Sequence, residues 1–179
     1  MAFPRVQIAA RLHDAEHGTT PQIRGRALEN AAIAMFTSIP GVLPPEPNAV
    51  DYAHASEVDS VFPNQPQPTP RGLWFTNERA FLCECKNWNV AAGAQELGWF
   101  LHKMEDRNCK FGVFVSTNGI TGDPAFLQAA NDVIAGALAR GYEIIVLDWD
   151  DLAAIRSTKG LVQRMQEKWT RLKSYRTSV

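Results

Sequence analysis

FLCECKNW, residues 81–88, sets a glutamate and a lysine two apart inside what otherwise reads as a strand core. In an extended chain alternate side chains share a face, so Phe81, Cys83 and Cys85 point one way and Leu82, Glu84 and Lys86 the other. Rows of buried side chains seldom hold Glu or Lys unless each has a partner. Either this strand has a wet face, or the two charges are held for chemistry.

The flanks place this strand in an α/β chain. FGVFV (111–115) and EIIVL (143–147) are short, nearly continuous apolar runs, the pattern of strands covered on both faces. Between them Asp123 and Pro124 predict a helix that closes near Arg140, before Gly141. Strand, helix and strand in that order imply a parallel pair with a right-handed crossover. AAGAQELGWFLHKMEDR (91–107) is a helix by the spacing of Leu97, Phe100, Leu101 and Met104; Ala91, Ala94 and Gly98 permit close approach to a sheet, and Gln95, Trp99 and His102 lie off that face.

Upstream, Thr20 as cap and Pro21 at the first position predict a helix over 21–39, stopped by Pro40 and Gly41. Its stripe is Leu28, Ala32, Met35, Phe36 and Ile39. Glu29 sits at the stripe's edge, either a surface acid or a carboxylate reaching a neighbouring cleft. Proline-rich loops at 40–50 and 63–72 bracket SEVDSVF (56–62), in which Glu57, Asp59 and Val61 share one face. Residues 73–75 and 80–86 predict a hairpin through the TNER turn. Asp150 is read as the cap of a short helix, and a basic helix from about Gly160 ends the chain, giving the order αβββαβαβα.

At 179 residues, 45% hydrophobic and 21% charged, the chain reads as one domain with one core: an N-terminal segment 1–20, a core 21–158 and the basic helix 159–179. No apolar run approaches the length needed to cross a bilayer and residues 1–16 lack a signal-peptide pattern, so the expectation is a cytoplasmic protein with no membrane partner. Three cysteines, with Cys83 and Cys85 in neither zinc-knuckle nor redox spacing, imply reduced thiols. His13 and His17 have helical i, i+4 spacing without further ligands nearby, and a solvated segment is the expectation there.

The net charge of -1 argues against gripping nucleic acid with the whole surface. From Arg156 onward, however, seven bases including Lys168 and Arg171 face the single acid Glu167. That helix offers phosphate contacts or simply a solvated face. Trp74, Trp88 and Trp99 are candidates for stacking on bases or for packing.

Asp59 converges with Glu84 and Lys86 if their strands are neighbours. Two carboxylates held together make an oxygen site for Mg²⁺ or Mn²⁺, and a nearby lysine offsets charge that builds on a phosphate. This suits phosphodiester hydrolysis. Either Glu57 or Asp59 can be the strand ligand from spacing alone.

With ALENAAIAMF around Glu29, SEVDSVF with Asp59, ECK with Glu84 and Lys86, AQELGW with Gln95, and FGVFVSTNGITGDPAFLQAA followed by YEIIVLDWDDL, the sequence resembles the PD-(D/E)xK nuclease superfamily, and within it the Mrr-like restriction endonucleases. The likeness spans roughly residues 23–155. It implies a restriction-endonuclease-like core, αβββαβ, with a further helix, strand and C-terminal helices around a mixed central sheet. It also implies a Mg²⁺- or Mn²⁺-dependent endonuclease acting on DNA, in defence against foreign DNA or in repair; because the sequence shows no obvious second domain for sequence recognition, a homodimer or another partner is the expectation. Asp59, Glu84 and the backbone carbonyl of Cys85 correspond to metal ligands and Lys86 to the catalytic lysine. Glu29 corresponds to the helix acid that holds a metal-bound water or second ion, and Gln95 to the glutamine beside the site. Val58 stands where the pattern has proline, and Trp99 where tyrosine is commoner. A catalytically silent binding member of the same fold, and an RNA-directed or toxin-type nuclease, are the alternatives.

Overall fold

The computed structural model describes residues 3–47, 60–65, 67, 72–123, 125 and 129–177. Five strands form one mixed sheet in chain order: β1 (Glu46–Pro47), β2 (Ser60–Pro63), β3 (Ala80–Lys86), β4 (Phe111–Ser116) and β5 (Glu143–Leu147). The pairs β1–β2 and β2–β3 are antiparallel, and β3–β4 and β4–β5 are parallel. The expected parallel strand–helix–strand unit is present: α4 (Ala130–Ala139) joins β4 to β5, and α3 (Ala94–Asp106) joins β3 to β4 in the same way.

The alternation of β3 assigns its two faces. Phe81 stacks on Phe62 at 4.9 Å and meets Phe36 of α2 (Pro21–Phe36) edge-on at 5.5 Å. Its neighbour Phe111 is reached through Phe75 by Trp169 of α6 (Thr158–Tyr175). The opposite face carries Leu82, Glu84 and Lys86, and beside them Gly112, Phe114 and Ser116 of β4. There Phe100 of α3 lies 5.5 Å from Phe114, and α3 packs so closely that a Cβ on Gly112 would sit 2.6 Å from the Met104 sulfur. The FGVFV run thus reads as continuous because both faces are roofed by helices. Burying each large side chain on those faces contributes roughly 1.5–3 kcal/mol.

Several elements differ from expectation. Residues 5–17 are not a solvated segment but a helix, α1 (Arg5–His17), which packs along α2 through buried Ile8 and Ala15. Arg11 fixes the pair by donating to the Asn30 carbonyl. Residues 73–75 form turns, not a strand: Leu73 and Phe75 are buried as plugs, with the Phe75 ring between Phe111 and Trp169. The third early strand is β1 instead.

Helix ends also shift. Thr20 caps α2 as expected, its Oγ1 accepting from the Ile23 amide at 3.2 Å, but regular α-helix stops at Phe36. The last turn tightens, with Ser38 and Ile39 amides bonded three residues back. Asp123 does not open α4, which begins at Ala130; its Oδ1 instead accepts from the Ala125 amide. Gly141 does end α4, at φ +82°, in the left-handed region open to glycine. The cap of α5 (Trp149–Ala154) is Asp148, whose carboxylate accepts from the Asp151 amide while Asp151 accepts from Asp148, and not Asp150. Among the described residues, no helix is long and apolar enough to cross a membrane.

Candidate active site

Glu84 is 2% exposed, under α3. A carboxylate that deeply placed must be compensated, and two ammonium groups do so: Lys86 Nζ lies 2.8 Å from its Oε1 and Lys103 Nζ 2.7 Å from its Oε2. Lys86 comes from the same face of β3, two residues along, as the alternation requires. Lys103 descends from the last turn of α3 and was missed at the level of sequence. The sequence carries no local signal for it, since Lys103 meets Glu84 only once α3 is laid across the sheet.

Both lysine side chains retain a path to water, at 24% exposure for Lys86 and 15% for Lys103, whereas the carboxylate does not. The alternative of a wet face is therefore excluded at Glu84: β3 is interior to the sheet and the acid is buried. Lys86 Nζ also stands 5.4 Å from the centre of the Trp88 ring, a cation over an exposed indole.

The other expected site residues are distributed as follows. Asp59 and its rival Glu57 lie outside the described residues; β2 begins at Ser60, which pairs with Cys83. Gln95 is exposed in the first turn of α3, and Trp99, 60% exposed, is on the same helix. Glu29 is half-buried on α2, the helix that covers the Phe81 face of the sheet, while Glu84 and Lys86 occupy the α3 face. Cys85, whose carbonyl the resemblance implicates, is half-buried in the β3–β4 ladder opposite Val115.

Lys168 is a correction. It falls on the inner row of α6 with Leu161, Met165 and Leu172, and its ammonium is 2.9 Å from Asp151 Oδ2 at 7% residue exposure. A buried lysine committed to a buried acid is a structural tie and does not face a phosphate. Arg171, on the outer side of the same helix, is exposed. His13 and His17 stack edge-on at 4.7 Å beside Asp14 and Glu16 on the surface of α1.

Among the described residues no cluster of three or more His, Cys, Asp or Glu side chains gathers to hold a metal ion. The Cys109 thiol does not substitute for one: burial pushes it up, and it lies within hydrogen-bonding reach of the Ala80 and Phe111 carbonyls, so it stays protonated. Glu84 nevertheless fits one ligand position of a divalent ion. It is a hard oxygen donor, but the two ammonium groups on it oppose a further cation, so a site there needs a second carboxylate and the displacement of a lysine. Compared with known protein families and with curated proteins, the sequence matches none.

Proposed function

We propose that the chain is a metal-dependent endonuclease that hydrolyses phosphodiester bonds of DNA, built on a restriction-endonuclease-like core. The observation that carries this reading is the buried Glu84 carboxylate joined to Lys86 on one face of β3. Support also comes from the sheet, in which β3 stands between an antiparallel neighbour and a parallel one reached through α3.

In this reading Asp59, Glu84 and the Cys85 carbonyl would hold Mg²⁺ or Mn²⁺, while Glu29, on the helix over the opposite face of the sheet, is left out of the metal site. When bound, the ion would act as a Lewis acid on the phosphoryl oxygens and promote deprotonation of an attacking water. Lys86 keeps its ammonium beside Glu84 and offsets negative charge as it builds on the phosphate. Gln95, exposed at the start of α3, orients the substrate at the rim.

The test is incubation with plasmid, linear duplex, single-stranded DNA and RNA, each with Mg²⁺, Mn²⁺ or EDTA. Cleavage of DNA that EDTA abolishes is the expected result; no cleavage under any metal condition sinks the reading. A second reading, a catalytically silent member of the same fold, is favoured by one specific contact: Lys103 occupies the second oxygen of Glu84, leaving the carboxylate fully paired without an ion.

A further inference from the structure

At the carboxyl ends of β3 and β4 lies a cavity of about 270 Å³. Trp88 and Asn89, leaving β3, form one wall, and Thr117 and Asn118, leaving β4, form the other; Trp149 and Arg24 close it. Its volume sits just under the roughly 300 Å³ at which pockets for drug-sized ligands begin, so it suits one ring system.

The walls are held by their own hydrogen bonds. Asn87 Nδ2 donates to the carbonyls of Ala15 at 2.7 Å and Arg24 at 3.0 Å, tying the end of β3 to α1 and α2. Thr117 Oγ1 donates to Asn87 Oδ1 at 3.3 Å, and Asn118 donates to the Trp88 carbonyl. These amides are therefore spent on the frame. What remains for a ligand is two indole rings and the Arg24 guanidinium, which has no ion-pair partner among the described residues. Glu16, also at the rim, lies 3.5 Å from His17 Nε2. The Trp88 ring links this cavity to the ion triad, since Lys86 Nζ stands 5.4 Å from its centre.

We propose that the cavity receives one unpaired base of a DNA strand, stacked on Trp88, with Arg24 on a neighbouring phosphate, next to the phosphodiester at Glu84 and Lys86. Its ligand class rests on the nuclease reading. An indole accepts the face of any base, but a base within a duplex has both faces covered by its neighbours. The substrate class is thus DNA with at least one unpaired nucleotide: single strands, flaps or frayed ends.

The experiment is fluorescence anisotropy in EDTA, titrating the full chain into a labelled short oligothymidylate and into a blunt duplex of equal length. Wild type should bind the single strand more tightly. Trp88→Ala should weaken single-strand binding by about fivefold or more, the low end of what one stacked base contributes, and leave duplex binding unchanged. Trp88→Phe should keep most of the affinity, and Arg24→Ala should reduce the salt dependence. Equal wild-type binding to both probes, or an unchanged Trp88→Ala variant, would overturn the proposal. Cleavage with Mg²⁺ is scored separately. A wild type that cuts no DNA yet keeps the Trp88-dependent preference sinks the nuclease reading and upholds the base site; cleavage with no Trp88 dependence in binding overturns the base site alone.

Discussion

Glu84 is surrounded by more positive charge than its own negative charge cancels, and that imbalance decides what its variants do. Glu84→Ala leaves Lys86 and Lys103 facing each other across the space of the lost carboxylate. A fully buried pair broken this way costs about 3–5 kcal/mol, but both lysines retain exposure and can turn to water, so the expected loss is about 2 kcal/mol, or roughly 4–8 °C in melting temperature. Lys103→Met acts in the opposite sense. It keeps the packed stem, removes one ammonium from 2.7 Å, and leaves Glu84 paired with Lys86 alone. Under the nuclease reading it should tighten Mn²⁺ binding by calorimetry, because a cation no longer competes for the same oxygen. Unchanged Mn²⁺ binding, or none in either protein, would favour the silent reading. The charged face of β3 was legible in the alternation of 81–86, since a period of two needs no tertiary information. The identity of the second cation was not, because Lys103 lies 19 residues away on another element and meets Glu84 only once α3 is laid across the sheet.

The position of α3 depends on Gly112. A Cβ there would meet the Met104 sulfur at 2.6 Å and the Phe100 ring at 2.8 Å, and neither side chain has room to retreat in a core where both are fully buried. Gly112→Ala should destabilise by about 1–3 kcal/mol in denaturant unfolding and lift the helix that carries Lys103 and Gln95. A variant as stable as wild type would show that α3 is not seated this tightly. Long apolar runs announced β4, β5 and α3 because each buries a continuous surface. Short, weakly patterned elements did not. In α1 only Ile8 and Ala15 are buried, too thin a stripe to stand out from its polar neighbours, and Leu73 to Phe75 carry the residues of a strand but fill a gap in the core from a turn.

Across the whole molecule, the basic C-terminal helix shows how a charge count and a periodicity can give different answers. Counted by charge, α6 offers a row of cations to phosphate. Read by spacing, Leu161, Met165, Lys168 and Leu172 form one buried row, and Lys168 belongs to the inside with Asp151. The same helix is anchored again where Trp169 Nε1 donates to Glu143 Oε2 at 2.7 Å, so α6 closes the sheet at β5. Lys168 and Arg171 therefore predict different phenotypes although they are three residues apart and carry the same charge. Lys168→Met leaves the buried Asp151 carboxylate with the Asp148 amide and, as its one remaining cation, Arg164 at 3.3 Å, and should lower stability by about 2–4 kcal/mol. Any weakening of DNA binding should track its loss of fold, with the salt slope intact. Arg171→Glu, on the exposed side, should melt like wild type; if α6 borders the DNA path, it should reduce the slope of log affinity against log salt by about one. A normal slope in Arg171→Glu would confine DNA to the α3 side and the carboxyl ends of β3 and β4, where Lys86, Trp88 and Arg24 lie. A wild-type melting curve in Lys168→Met would instead mean that the tie to Asp151 does not hold α6 in place, and would return that lysine to the surface.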